Sequence, residues 1–246
     1  VGVAWLIMDK SSKLKTIGVL GGMGPCATLY FYTCLLDEAH RQLGAVQDYE
    51  YPPIIINSLS LKGSTEQGVA NSKQILSQLI EGMKLLIKAG SDLITIPCNS
   101  SHSMLNEFKK TSTIPILNII DATILQIKKD NLKKILLLAS EEAYKNHLWD
   151  EVKTEGIRLY IPNDIDKRII TETILDVMRG SASRHNKRAT IQIIKQMKKT
   201  YKIDAVILGC TELPLAITKN DTDVRLYDSS YLLARKTIEK CQKISP

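Results

Sequence analysis

The sequence is short of aromatic residues, which make up 5% of its 246 positions and include only two Phe and two Trp. That scarcity excludes a stacking platform for single-stranded nucleic acid. Histidine is also sparse, with His40, His102, His147 and His185 dispersed along the chain. No two of the five cysteines stand two to four residues apart, so the spacing that zinc sites use is missing and no metal is expected. The same irregular spacing gives no disulfide framework and fits a reducing cytoplasm. Long apolar runs are lacking too. Val1 to Met8 is apolar but short, without a basic start or a small-residue cleavage pattern, so it reads as neither a signal peptide nor a membrane span. The net charge of +7 is spread along helix-like segments, and the one dense stretch, Arg184 to Lys202, reads as a solvated helix face. Neither nucleic acid nor a membrane is expected as a partner.

What the sequence does contain is a pair of matched stretches. Leu93-Ile94-Thr95-Ile96 leads to Pro97-Cys98-Asn99-Ser100-Ser101-His102, and Ala205-Val206-Ile207-Leu208 leads to Gly209-Cys210-Thr211-Glu212. Each begins after an aspartate, Asp92 or Asp204, and each delivers a cysteine where an apolar strand gives way to a polar turn. A thiol at the C-terminal end of a parallel strand stands where open α/β sheets bind ligands, and a helix starting just after it favours the thiolate. Two such thiols suggest one site built from two halves.

The rest of the chain alternates strand and helix. Thr16 to Leu20 reads as a strand, followed by the turn Gly21-Gly22-Met23-Gly24-Pro25, where glycine lets the backbone approach a ligand and Pro25 opens a helix to Leu43. This turn has neither the G-x-G-x-x-G spacing nor the Lys-Ser/Thr of a nucleotide cradle. Ile54 to Ile56 is a second strand ending on Asn57, which serves either as a turn former or as a ligand contact. Ser72 to Lys88 has the helical period. Ile114 to Asn118 reads as a fourth strand and the crossing into a second lobe, and Ala143 to Glu155 as one helix. The pattern predicts an α/β fold of two pseudo-symmetric lobes, each a mostly parallel sheet flanked by helices, with the active-site cleft between them. The expected division is an extension over residues 1–14, a first lobe over 15–114 joined by 216–246, and a second over 115–215. The final strand and helix are thus expected to return to the first lobe.

The glycine turn with Ala27-Thr28, then Pro97-Cys98-Asn99 with His102, Asp121-Ala122-Thr123, and Gly209-Cys210-Thr211-Glu212 resemble, in this order, the aspartate/glutamate racemase family, which works without pyridoxal phosphate. The resemblance covers residues 15 to 240 and is nearest to aspartate racemases. It implies a cytoplasmic homodimer that racemises aspartate, with glutamate or a broader set of amino acids as the alternatives, needs no cofactor and uses Cys98 and Cys210 as the acid/base pair. It further implies that Met23, Asn57, Lys62, Asn99, Ser100 and Thr211 bind the substrate, with His102 and Glu212 orienting the thiols from behind. Other carbon-acid reactions of the superfamily (hydantoin racemisation, maleate isomerisation, malonate decarboxylation) and a silent small-molecule binder are the rival readings. Two departures bear on the substrate. Ser140 to Tyr144 replaces a threonine-rich turn, and only Lys62 stands near where aspartate-type members carry an arginine that forks onto the side-chain carboxylate. Cys26, Cys34 and Cys241 are expected to be core or inert thiols.

Overall fold

The structure, a computed structural model, describes residues 14–65, 68, 69, 71–181 and 183–242, with the side chains of 64, 65, 68 and 69 left aside. The first half runs β1 (Ile17–Gly21), α1 (Pro25–Leu43), β2 (Ile54–Ser58), a small hairpin β3 (Ser64–Thr65) and β4 (Gly68–Val69), α2 (Ser72–Lys88), β5 (Leu93–Thr95), a 3-10 turn (Ser100–Met104), α3 (Leu105–Thr111), β6 (Ile116–Leu117) and α4 (Ile119–Lys129). The second runs β7 (Lys134–Ala139), α5 (Glu141–Lys145), α6 (Glu151–Thr154), β8 (Arg158–Tyr160), α7 (Asp164–Met178), α8 (Arg184–Tyr201), β9 (Ala205–Gly209), α9 (Leu213–Ala216), β10 (Arg225–Asp228) and α10 (Ser229–Cys241).

Two parallel four-stranded sheets result, ordered β2-β1-β5-β6 and β8-β7-β9-β10. In each the strands follow the same order, second, first, third, fourth, and the third ends at a cysteine. β1, β7 and β9 are buried along almost their whole length because helices cover both faces, which is why they are written in nearly unbroken apolar letters. The aspartates that precede the third strands act alike. Asp92 accepts from Thr16 N–H at 2.7 Å, and Asp204 accepts from Lys133 and Lys134 N–H at 3.0 and 2.8 Å, so each fastens its own strand to the first strand of its sheet.

The expected return of the last strand to the first lobe is not what the chain does. β10 pairs with β9 and completes the second sheet, as β6 completes the first. The repeat requires this, since a half that stopped at Cys210 would leave β9 an uncovered edge. The closing helix does reach back: α10 packs on α1 and α4, and these three helices lie between the sheets. One core cluster there draws on both halves, from Ile17, Val19 and Phe31 to Ile135, Leu137 and Ile207, while α2 and α3 cover the outer face of the first sheet and α7 and α8 that of the second. Tyr30 on α1 donates to Asp228 at 2.6 Å and adds a polar tie between the halves. Of the expected extension, Leu14 bridges Gln242 and the remainder lies outside the described residues. Among the described residues no helix is long and apolar enough to cross a membrane. Cys34 and Cys241 are buried as expected, but Cys26 is exposed on α1.

Candidate active site

Cys98 lies just past β5, buried, with its sulfur 3.6 Å from the Ser100 hydroxyl. Burial pushes its thiol above the ordinary range. The Ser101 backbone N–H and the serine hydroxyls pull it part of the way back, and the nearby charge of Glu212 adds to the rise.

Cys210 stands just past β9, also buried, and its S–H donates to Glu212 Oε2 at 3.1 Å. The Thr211 hydroxyl donates to the same oxygen at 3.1 Å. The other oxygen, Oε1, accepts from Gly24 N–H of the opposite lobe at 3.2 Å. One buried carboxylate therefore touches the second cysteine, bridges the lobes and acts electrostatically on the first cysteine. Position 24 has little room for more than hydrogen, since a Cβ there would stand 3.1 Å from Glu212 Oε1. The turn is held by Thr28, whose hydroxyl accepts from Gly22 N–H at 2.8 Å and donates to Gly24 C=O at 2.9 Å. Gly22 has φ of 92°, and a Cβ on it would collide with the backbone of Leu59.

His102 does not turn its ring to either sulfur. Ile119 N–H donates to its Nε2 at 3.2 Å, so the ring proton sits on Nδ1, which donates to Cys98 C=O at 2.8 Å. Burial lowers its pKa and keeps the ring neutral. The residue expected to orient a thiol thus orients the backbone that carries it, joining the end of the third strand to the start of α4. The amide nitrogen of Asn99 is likewise engaged, donating to Ser229 Oγ at 3.1 Å, and that hydroxyl donates to Leu208 C=O at 2.9 Å, a chain from the first cysteine turn to the strand bearing the second, while the buried Asn99 Oδ1 has no partner among the described residues. Ser229 carried no signal in the sequence beyond following the cap residue Asp228.

A cavity of about 350 Å³ opens beside Cys98. Of the residues expected at the substrate, Met23, Cys98 and Ser100 line it, whereas Asn57, Lys62, Asn99, Thr211 and Cys210 are not among its walls. Asn57 donates to Gly82 C=O at 3.1 Å and fixes α2 to the end of β2, a long-range tie that is neither of the two roles expected of it. Lys62 is exposed, in a loop held by the side chain of Gln78 through paired hydrogen bonds to its backbone. Sequence reasoning missed Leu61, Ile75, Leu79 and Met104 on one side, and Glu142, Asn146 and Met178 on the other. Ile75 and Leu79 had been read as a helix's buried stripe, and periodicity does not tell the part of a stripe that meets a cavity from the part that meets a sheet.

The fold is a matched pair of α/β lobes, each with one cysteine just past its third strand, and a cavity lined from both lobes. The chain belongs to the Asp/Glu/hydantoin racemase family, whose model it matches over residues 20–237, and it is an amino-acid racemase. It is 25% identical over 222 residues to a broad-specificity amino-acid racemase of Bacillus subtilis, covering 90% of this chain and 96% of that protein. Its fold is similar to that of an aspartate racemase homologue from Pyrococcus horikoshii, with TM-score 0.78, 30% identity and coverage of 93% of this chain and 99% of that one. The aspartate racemase of Picrophilus torridus shares the fold at TM-score 0.76 and 24% identity, over 94% of this chain and 96% of that one.

Proposed function

We propose that Cys98 and Cys210 invert the α-carbon of an amino acid without a cofactor. One cysteine, as thiolate, takes the α-proton: the C–H bond breaks, an S–H bond forms, and the electron pair passes into the substrate carboxylate as an enediolate-like state. The other, as thiol, returns a proton to the opposite face and is left as thiolate, so the roles exchange with the hand of the substrate. The observation that carries this reading is Glu212, which accepts from Cys210 at 3.1 Å and whose charge adds to the rise that burial gives the Cys98 pKa. One carboxylate thus acts on both sulfurs and couples the proton of one to that of the other, as an acid and a base that exchange roles require. Developing charge is stabilised by fixed donors such as the Ser100 hydroxyl at the wall of a cavity lined by both polar and apolar groups. The reading extends to a cytoplasmic homodimer, which sedimentation of the purified chain tests.

Incubation with single enantiomers in heavy water tests the chemistry. Wild type should lose optical rotation while gaining α-deuterium. Cys98→Ala and Cys210→Ala should each racemise more slowly by about 10³-fold or more, the scale of a lost acid or base. Each variant retains, at most, exchange of the enantiomer whose proton faces the surviving thiol. Ordinary turnover by either variant removes that sulfur from the mechanism, and in particular tests whether Cys210 reaches the carbon from behind Gly24.

A further inference from the structure

Resting on the racemase reading, we infer that the substrate side chain is apolar and uncharged, of about the size of leucine or methionine, and not dicarboxylic. Four serines and Asn146 share the lining of the cavity beside Cys98 with Met23, Leu61, Ile75, Leu79, Met104 and Met178, and among the described residues none of its walls is a lysine or arginine. A second substrate carboxylate placed there loses its water and meets no cation, a cost that dominates any gain from contact. It also meets Glu142, the one carboxylate among the described residues that lines the cavity.

Glu142 has a different use. Asn146 Nδ2 donates to its Oε1 at 2.7 Å, holding the carboxylate in place, and Oε2 has no partner among the described residues. Every amino acid brings one ammonium, at the α-carbon, and Glu142 is the wall group suited to accept it. With that group assigned, and the Ser100 hydroxyl beside Cys98 left for the α-carboxylate, the side chain meets the apolar walls. Three of its walls are methionines, whose unbranched thioethers adapt to side chains of differing shape. The volume, about 350 Å³, stands at the small end of ligand sites and suits an amino acid of this size. Lys62, the cation nearest in sequence to an acidic-substrate signature, is exposed and lies off the cavity.

The test is α-deuterium incorporation by the full chain with methionine, leucine, lysine, aspartate and glutamate, each as a single enantiomer. Methionine and leucine should exceed aspartate and glutamate in kcat/KM by about 100-fold, the discrimination a shaped apolar pocket reaches. Aspartate or glutamate at parity or better overturns the side-chain assignment while leaving racemisation intact. Lysine ahead of methionine also overturns it, because Glu142 then reads the side chain. Absence of exchange with every amino acid overturns the racemase reading itself. Two variants separate the roles. Glu142→Gln should raise KM about 10-fold for all substrates alike, and loss confined to lysine argues against its contact with the α-ammonium. Leu61→Arg, at a half-buried loop position, should narrow or reverse the preference for methionine over aspartate.

Discussion

Glu212 does more at this site than either sulfur does by itself. It is buried, it accepts from Cys210 and Thr211 on its own lobe, and it accepts from Gly24 across the gap. Glu212→Gln keeps an oxygen for Gly24 and removes the negative charge that raises the Cys98 pKa. The pH at which Cys98 becomes alkylatable should therefore fall, measured by the rate of labelling against pH in a chain whose exposed Cys26 is already Ser. An unchanged labelling profile would mean that the carboxylate does not act on this thiol. His102 makes a structural argument of the same kind. His102→Ala strands the buried Ile119 N–H, while the Cys98 carbonyl keeps the Ser101 hydroxyl as donor, and should lower stability by about 1–3 kcal/mol in urea unfolding. Because its bonds go to backbone, activity per folded molecule should suffer less in His102→Ala than in Cys98→Ala.

At the scale of elements, the two aspartate clasps and the glycine turn place the strand ends that carry the cysteines. Asp204 accepts two backbone N–H groups at the start of β7, so Asp204→Ala should cost about 1–2 kcal/mol, read as a lower urea midpoint with unchanged slope. Gly22→Ala should cost more than ~1 kcal/mol, since the left-handed backbone and the collision with Leu59 both oppose a methyl. The segment from Ala143 to Glu155, expected as one helix, breaks after Lys145. His147 adopts a φ of 51°, α5 stops, and α6 resumes at Glu151. The break buries Trp149 and leaves Glu142 and Asn146 at the cavity. Apolar spacing marked both helical pieces but not the interruption, because Asn146 and His147 tolerate a left-handed or terminal conformation without demanding one.

For the molecule as a whole, the buried titratable groups set a pH window for stability. His102 has its pKa lowered in the fold, so the stability linked to it is present above the unfolded value of about 6.5 and is lost as pH falls. Cys98, Cys34 and Cys241 are raised by burial, Cys34 to about 12 and Cys241 to about 11, so their contribution is present below the unfolded value and is lost as pH rises. Thermal midpoints should peak between roughly pH 6.5 and 8.5. Cys34→Ala should flatten the alkaline flank and His102→Gln the acidic one. Identical flanks in the variants would assign the pH dependence to other groups.

The order of strands and helices, the two cysteine turns, the aspartates before them and the limits of α1 and α2 were all written locally, in apolar runs, helical period and turn residues, and such features need no distant partner to be read. The placement of β10 in the second sheet, the ring orientation of His102, the bond from Asn99 to Ser229 and the lack, among the described residues, of a cation lining the cavity beside Cys98 all depend on residues far apart in sequence. Hydrogen-bond partners and cavity walls are chosen by what packing brings within about 3–4 Å. The chain's letters thus determined the kind of chemistry, and only the assembled lobes decided which side chains stand in the cavity and which are spent holding it open.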